Sequence, residues 1–357
     1  MERRRSHIGR GAWLLAGLLW GLAGCQGAPA AKPAPEAAAP AAAAAAPTAP
    51  APTAAPAPIA VVFSIPGRQL FQLSPLLAQD QGLFREEGLD ATVIEMETRQ
   101  ALSGLITGEV GYDGRMGSNL FLAARTGEVR AAMFLHALAP WRLMGQPDVR
   151  DVAALRGARV TASNPGSAGY LLTRAALRRA GLDPERDVEL SYTGLETARL
   201  AALETGQVRA ATLAVPFDAM MAGRGYPILA DAMEMKLDLP ITGVTATPGR
   251  LASRPDEARR VLRAILRAQQ FIRERRDDAV DFAARTFELD RALVASELDR
   301  LVGTFAPEGE LSAAQLRRFF ELNEAEGVDL EVRLQDVRFE ELFDYTALRA
   351  ARRELGQ

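Results

Sequence analysis

Short apolar runs alternate with amphipathic stretches along the chain from Ile59 onward. The segments VVFSIPG (61–67) and RVTASNPG (159–166) each begin with a partly β-branched run and end in Ser-x-Pro-Gly, which predicts a buried strand followed by a tight turn. After the second turn, apolar residues at helical spacing mark one buried face: Leu171, Leu172, Ala175, Ala176 and Ala180. Strands that alternate with helices predict a parallel, open α/β sheet with helices on both faces.

This order of landmarks occurs twice. EEGLD (86–90) corresponds to RAGLD (179–183), and LITGEV (105–110) corresponds to LETGQV (203–208). The predicted second strand, second helix and third strand are 92–96, 98–107 and 110–112 in the first copy and 188–192, 197–205 and 208–213 in the second. Two copies predict two lobes, each with a glycine that ends the second helix. The alternative is that two unrelated βα units share ordinary turn residues.

The C-terminal part, from about Ile241, has no counterpart in the repeat. Ser253 precedes proline and two acidic residues, which predicts a helix start capped by serine. Ser312 and Gln315 form a capping-box sequence before a second helix. We expect these helices to pack on the first lobe after the chain returns to it.

The N-terminus has the pattern of an export signal. Arginines at positions 3–5 precede an apolar run at 12–22, which is shorter than the roughly 20 residues that a membrane-spanning helix needs. The sequence LAGC (22–25) resembles the bacterial lipobox, whose cysteine is lipidated and becomes the new N-terminus. Cys25 is the only cysteine of the chain, so lipidation at Cys25 is expected. The alternative is a leftover thiol in a cleaved signal.

Residues 26–58 consist almost entirely of Ala, Pro and Thr. Prolines interrupt every alanine run, and large apolar side chains are too few to form a core. This composition predicts a semi-extended tether between a signal at 1–25 and a folded region that begins at Ile59.

Charge and motif content narrow the function. The net charge is −3, and arginines are scattered among carboxylates without a basic block, so nucleic-acid binding is not expected. Outside the signal, His136 is the only histidine, and the folded part contains one lysine, Lys236. Motifs of nucleophilic, phosphate-binding and metal-dependent enzymes are missing, so the chain is predicted not to be an enzyme, and no metal or cofactor is expected.

Four segments carry a family resemblance: 74–96 (SPLLAQDQGLFREEGLDATVIEM), 102–112 (LSGLITGEVGY), 151–190 and 198–220. They are similar to the substrate-binding proteins of bacterial ABC importers, in the nitrate/sulfonate/taurine group that includes thiamine-precursor binders. The resemblance implies a two-lobed, type II-like periplasmic-binding-protein fold, with lobe 1 at 59–138 plus 240–357 and lobe 2 at 139–239. Crossing segments are expected near 138–143 and 237–242.

The resemblance also implies a function. An exported, membrane-anchored lipoprotein facing the periplasm or the cell exterior would capture a small anionic or polar solute by lobe closure. It would act as a monomer and deliver the solute to a permease with its ATPase. Two alternatives stay open: a sensor that reports to a signalling partner through the same cleft, and an enzyme on the same fold.

In open parallel sheets the ligand lies beyond the carboxyl ends of the strands. The loops at those ends contain glycine and small hydroxyl residues, and helix N-termini there favour an anionic group. The predicted ligand-binding residues are Ser64, Pro66, Gly67, Arg68, Arg115, Met116, Gly117, Ser118, Trp141, Asn164, Gly166, Ser167, Ala168, Thr193, Gly194, Pro216 and Phe217.

Four of the candidate side chains have two interpretations each. Arg68 and Arg115 could each clamp an anion or form an ordinary salt bridge. Trp141 could stack on a planar ligand or pack a crossing segment. Ser167 could donate to the ligand or only cap its own helix. His136 is expected to be structural.

Overall fold

The computed structural model describes residues 57–193, 195–237 and 239–357. The predicted signal, Cys25 and the tether up to residue 56 lie outside the described residues, as does Gly194. Within the described ranges, no helix is both long enough and apolar enough to cross a membrane.

The described residues form ten strands and thirteen α-helices. The strands are β1 (Ile59–Ile65), β2 (Leu89–Glu95), β3 (Tyr112–Arg115), β4 (Arg130–Phe134), β5 (Trp141–Gly145), β6 (Arg159–Ala162), β7 (Glu189–Tyr192), β8 (Ala210–Ala214), β9 (Ile228–Asp231) and β10 (Thr242–Ala246). The helices are α1 (Leu73–Asp80), α2 (Leu83–Glu86), α3 (Thr98–Thr107), α4 (Gly117–Thr126), α5 (Ala168–Arg179), α6 (Glu196–Glu204), α7 (Phe217–Gly223), α8 (Pro248–Ser253), α9 (Pro255–Glu274), α10 (Arg276–Phe287), α11 (Arg291–Gly303), α12 (Ala313–Ala325) and α13 (Thr346–Glu354).

The two sheets have the same topology. Their strand orders are β2-β1-β3-β10-β4 and β7-β6-β8-β5-β9. In each sheet four strands point in one direction, and the fifth, which arrives from the other sheet, runs antiparallel to both neighbours. The prediction of two mainly parallel α/β lobes is therefore confirmed. We call the part around the first sheet lobe 1 and the part around the second sheet lobe 2.

The repeated hexapeptide builds the same helix end in both lobes. Gly108 and Gly206 adopt left-handed backbone conformations, with φ of 85° and 71°, which glycine accommodates without a Cβ clash. The valine two residues after each glycine forms a backbone hydrogen bond to the preceding helix. The Val110 N–H donates to the Gly104 carbonyl at 2.9 Å, and the Val208 N–H donates to the Ala202 carbonyl at 3.2 Å. Because these valines close the helices, β3 and β8 begin two residues after them instead of at them.

The C-terminal helices connect to both lobes. Helix α9 packs on α1, α2 and α13 in lobe 1, as expected, but α11 also contacts α7 of lobe 2. The capping box at Ser312 is confirmed, with Gln315 as its partner. The prediction for Ser253 is wrong: it is the last residue of α8, and its hydroxyl donates to the Gly249 carbonyl at 2.7 Å. Helix α9 begins at Pro255 without a side-chain cap.

Candidate functional site

Two adjoining cavities lie between the lobes, at the carboxyl ends of the parallel strands. The first, of about 390 Å³, is lined by nine of the predicted residues: Pro66, Arg115, Met116, Gly117, Ser118, Trp141, Gly166, Ser167 and Ala168. The second, of about 890 Å³, shares Pro66, Trp141 and Ser167 with the first and adds four more: Arg68, Asn164, Pro216 and Phe217. Thirteen predicted residues therefore line one cleft.

Three predicted residues lie off both cavities. Ser64 is fully buried and donates its hydroxyl to Asp113 at 2.8 Å, so it faces the strand behind the cleft. Thr193 uses its carbonyl to accept from Arg199 at 2.6 Å. Gly67 lies in the turn after β1, and Gly194 is outside the described residues.

The sequence did not reveal the apolar wall of the first cavity. Phe121 of α4 and Phe319 of α12 stack with ring centroids 5.5 Å apart, and both line the cavity. Phe71 joins them there, together with Leu239 and Ile241 from the segment that returns to lobe 1. Helical periodicity can mark Phe319 as part of an apolar face of α12, but it cannot identify Phe121 as its partner.

Arg115 is tied to Asp113 in the wall of the first cavity. Its guanidinium is 2.7 Å from the Asp113 carboxylate, and both side chains are buried. Asp113 also accepts from Asn119 at 2.9 Å, which completes a buried network around one carboxylate. Arg115 therefore forms a salt bridge. A free bidentate clamp is not available, because Nη1 donates to Asp113 and Nη2 donates to the Met96 carbonyl.

Three polar atoms of cavity-lining residues are buried without a hydrogen-bond partner among the described residues: Arg115 Nε, Trp141 Nε1 and Ser163 Oγ. The arginine and tryptophan groups can only donate, and the serine hydroxyl can donate. An unpaired buried donor is unfavourable by about 1–3 kcal/mol, so such groups favour an acceptor within reach.

Two helix starts contribute to the same cavity. Helix α4 begins at Gly117 on lobe 1, and α5 begins at Ala168 on lobe 2. The first N–H groups of each helix have no partner within the helix, and the helix dipole places partial positive charge there. The cavity therefore combines apolar walls with donors from both lobes.

Ser167 is the N-cap of α5. Its hydroxyl donates to the Asn164 carbonyl at 2.6 Å and accepts from the Tyr170 N–H at 3.3 Å. Ser167 therefore caps its own helix, and its hydroxyl proton is already engaged. Gly166 has a φ of 83°, so a side chain there would strain the backbone as well as narrow the cleft.

Replacing Ser167 with alanine is expected to cost about 1 kcal/mol of folding free energy, because the cap of α5 is lost. Denaturant titration measures this loss. Affinity for a cleft ligand should change less than about threefold, since the hydroxyl proton serves Asn164. Ser167→Thr, which keeps the cap, is the matched control. A tenfold loss of affinity in Ser167→Ala with unchanged stability would contradict this assignment.

Arg199 and Glu196 form the charged side of the second cavity. Arg199 is almost fully buried, stacks over the Trp141 ring at 5.6 Å and donates to the Thr212 carbonyl at 2.8 Å. Burial lowers the pKa of Arg199 and raises the pKa of Glu196 to about 7, because each loses hydration of its charged form. The Glu196 charge therefore changes near neutral pH.

His136 has a structural role. Its ring nitrogens face the Thr304 hydroxyl at 2.5 Å and the Phe71 carbonyl at 3.1 Å. Complete burial lowers its pKa to about 3, so the ring is neutral at physiological pH. This side chain joins the segment after β4 to the C-terminal region and does not line either cavity.

Comparison with known proteins gives the fold a precedent. Residues 146–286 match the model of the NMT1-like family. A search of curated proteins gives no significant match. The periplasmic aliphatic sulphonate binding protein SsuA from Escherichia coli is 19% identical with a TM-score of 0.65, over 81% of this chain and 92% of that one.

Two further solved structures have the same fold. The periplasmic nitrate-binding protein NrtA from Synechocystis PCC 6803 is 14% identical with a TM-score of 0.67, over 84% of this chain and 90% of that one. The desulfurization enzyme DszB is 14% identical with a TM-score of 0.62, over 83% of this chain and 99% of that one. The fold thus occurs in binding proteins and in an enzyme. The chain has the two-lobed α/β fold of periplasmic solute-binding proteins.

Proposed function

We propose that this chain is the extracytoplasmic solute-binding component of an ABC importer. The observation that carries the proposal is the convergence of two helix starts, one from each lobe, on one cavity between the lobes. The sulfonate- and nitrate-binding proteins of the same fold support it. A permease and its ATPase are the partners that this function requires.

The cavity favours an organic anion. Its donors suit an oxyanion, whereas Phe71, Phe121 and Phe319 offer an apolar wall. An inorganic ion such as nitrate would leave most of a cavity of about 390 Å³ unfilled. A sulfonate or carboxylate with an aliphatic or aromatic body uses both parts of the site.

Binding without chemical conversion fits the side chains that line the two cavities. Histidine, cysteine and lysine, the usual bases and nucleophiles, are not among the cavity-lining residues that the structure describes. Glu196 is the one lining group that titrates near neutral pH. We assign it an electrostatic effect on affinity.

Native mass spectrometry of the exported, processed protein tests this function. The expected spectrum contains a complex of one chain with one organic anion, which is released unchanged on activation. Incubation of the protein with the recovered solute should leave that solute intact. Recovery of a converted product, or a spectrum without a complex after addition of an organic sulfonate panel, would contradict the proposal.

Affinity for an anionic solute should fall as the pH rises through about 7. Glu196 is neutral below that pH and negative above it, and a negative carboxylate in the adjoining second cavity repels an anion in the first. We expect the Kd for benzenesulfonate to rise about fivefold between pH 6 and pH 8. Calorimetric titration at several pH values measures this change in Kd. In Glu196→Gln this dependence should disappear, and its persistence there would refute the role of Glu196.

Lipid anchoring through Cys25 is part of the proposed function, motivated by the sequence LAGC (22–25). In Cys25→Ser the protein should move from the membrane fraction to the soluble fraction of fractionated cells. Equal membrane retention of the variant and the parent would exclude a lipid anchor at this residue.

A further inference from the structure

The C-terminal turn of α12 connects the two lobes. On lobe 1, Phe319 and Phe320 of α12 pack against Phe121 of α4, with ring centroids 5.5 and 5.2 Å from it. Immediately after α12, Glu326 reaches α5 of lobe 2. The helix that forms the apolar wall of the first cavity therefore ends in a contact with the opposite lobe.

Glu326 is held by two arginines of α5. One carboxylate oxygen accepts from Arg174 Nε at 3.1 Å and from Arg178 Nε at 2.9 Å. Glu326 and Arg174 are each 3% exposed, whereas the Arg178 side chain is half-exposed. In addition, the Tyr170 hydroxyl donates to the Glu326 backbone carbonyl at 2.6 Å.

The contact bears directly on the cavity because both helices contribute to its walls. Helix α5 begins at Ala168, next to Ser167, and both residues line the cavity from lobe 2. Helix α12 carries Phe319, which lines it from lobe 1. A fixed distance between Glu326 and Arg174 therefore fixes the separation of the two walls.

We propose that Glu326 is a positioning residue that sets the separation of the two lobes by tying the end of α12 to α5. Separation of α12 from α5 would break the three hydrogen bonds of Glu326, two of them charge-assisted. Removal of the carboxylate charge would leave the buried Arg174 without its cross-lobe partner. The inference rests on the proposed function only in that lobe closure encloses the solute, and its test needs no ligand.

Spin labels on the two lobes measure closure directly. In a Cys25→Ser background, Ile106→Cys on lobe 1 and Leu195→Cys on lobe 2 would provide the only thiols, and both positions are exposed. Pulsed electron–electron double resonance without ligand should give a single distance between the two labels in this parent. In Glu326→Gln we expect a second, longer distance in at least a third of the molecules.

Glu185 supplies a matched control. Its carboxylate also accepts from Arg174, at 2.5 Å, but it lies on lobe 2, and its side chain is 68% exposed. Glu185→Gln therefore removes an ion pair of the same arginine without touching the cross-lobe contact, and the parent distance should be retained. Equal distance distributions in the parent and in Glu326→Gln would overturn the proposal. Equal broadening of the distance distribution in Glu326→Gln and Glu185→Gln would also overturn the proposal.

Arg178→Gln keeps the test informative if Glu326→Gln does not fold. The Arg178 side chain is half-exposed, so its charge can be removed with little effect on folding. The substitution removes one of the two charged contacts of Glu326. An intermediate share of the longer distance is expected. An unchanged distribution in a folded Arg178→Gln protein, together with an unfolded Glu326→Gln, would indicate that Glu326 only stabilises the fold and would refute its positioning role.

Discussion

Asp113→Ala is expected to lower the free energy of unfolding by about 3–5 kcal/mol, because removal of one partner leaves a buried charge uncompensated. Asp113 is fully buried and accepts from Arg115, Ser64 and Asn119. Denaturant titration measures the loss. Arg115 should also lose its fixed position in the cavity wall, so affinity for an organic anion should fall together with stability.

The exposed Asp90 on β2 provides the control for this effect. Asp90→Ala removes the same charge from the same lobe and should change stability by less than about 0.5 kcal/mol. A loss below about 1 kcal/mol in Asp113→Ala would contradict the view that this carboxylate organises the wall of the cavity.

Trp141→Ala is expected to weaken binding of an organic anion by about 2–3 kcal/mol, or roughly 30- to 150-fold in Kd. The ring contributes to both cavities, and its unpaired Nε1 offers a donor. Calorimetry with the tightest-binding sulfonate of a panel measures the change. Trp141→Phe keeps an aromatic ring but loses the N–H, so a smaller loss of about 1 kcal/mol is expected.

Phe271→Leu on α9, away from both cavities, should leave the Kd unchanged and serves as the control. If Trp141→Phe weakened binding as much as Trp141→Ala, the donor and not the ring surface would dominate. If neither substitution altered the Kd, Trp141 would only pack the start of β5, and the proposed site would be wrong.

The duplicated lobes could be predicted because their signals are local. The glycine that ends the second helix lies within a six-residue phrase, and both copies of that phrase are recognisable in the sequence alone. The role of the valine was predicted wrongly, because it closes the helix and does not begin the strand. In each sheet one strand runs antiparallel to the other four, and this could be seen only in the structure. It depends on the direction in which β5 and β10 enter the sheet after the chain has crossed from the other lobe.

The pairing of Arg115 shows where local reasoning failed. Residues two apart on a strand share a face, so Asp113 and Arg115 are neighbours once β3 extends to Arg115. We expected the third strand to end at Tyr112 and treated the following residues as a loop, which left Arg115 free to meet a ligand. The register of β3 against β1 then adds Ser64 to the same network, since Ser64 lies opposite Asp113.

Two long-range contacts, one within lobe 1 and one between the lobes, could not be predicted from the sequence for a different reason. Phe319 is almost 200 positions from Phe121, and Glu326 is about 150 positions from Arg174. Helical periodicity identifies a buried face, but it does not identify the surface that covers it. These contacts depend on the return of the chain to lobe 1 after lobe 2 is complete.

Fluorescence of Trp141 tests the central claim most directly. The other tryptophans, Trp13 and Trp20, lie in the predicted signal, so Trp141 is the only one expected in the processed chain. Titration with benzenesulfonate, octane-1-sulfonate and nitrate should give saturable changes in emission, with Kd values for at least one organic sulfonate at least tenfold below that for nitrate. Emission that does not respond to any of the three, or tighter binding of nitrate than of both sulfonates, would contradict an organic-anion site between the lobes.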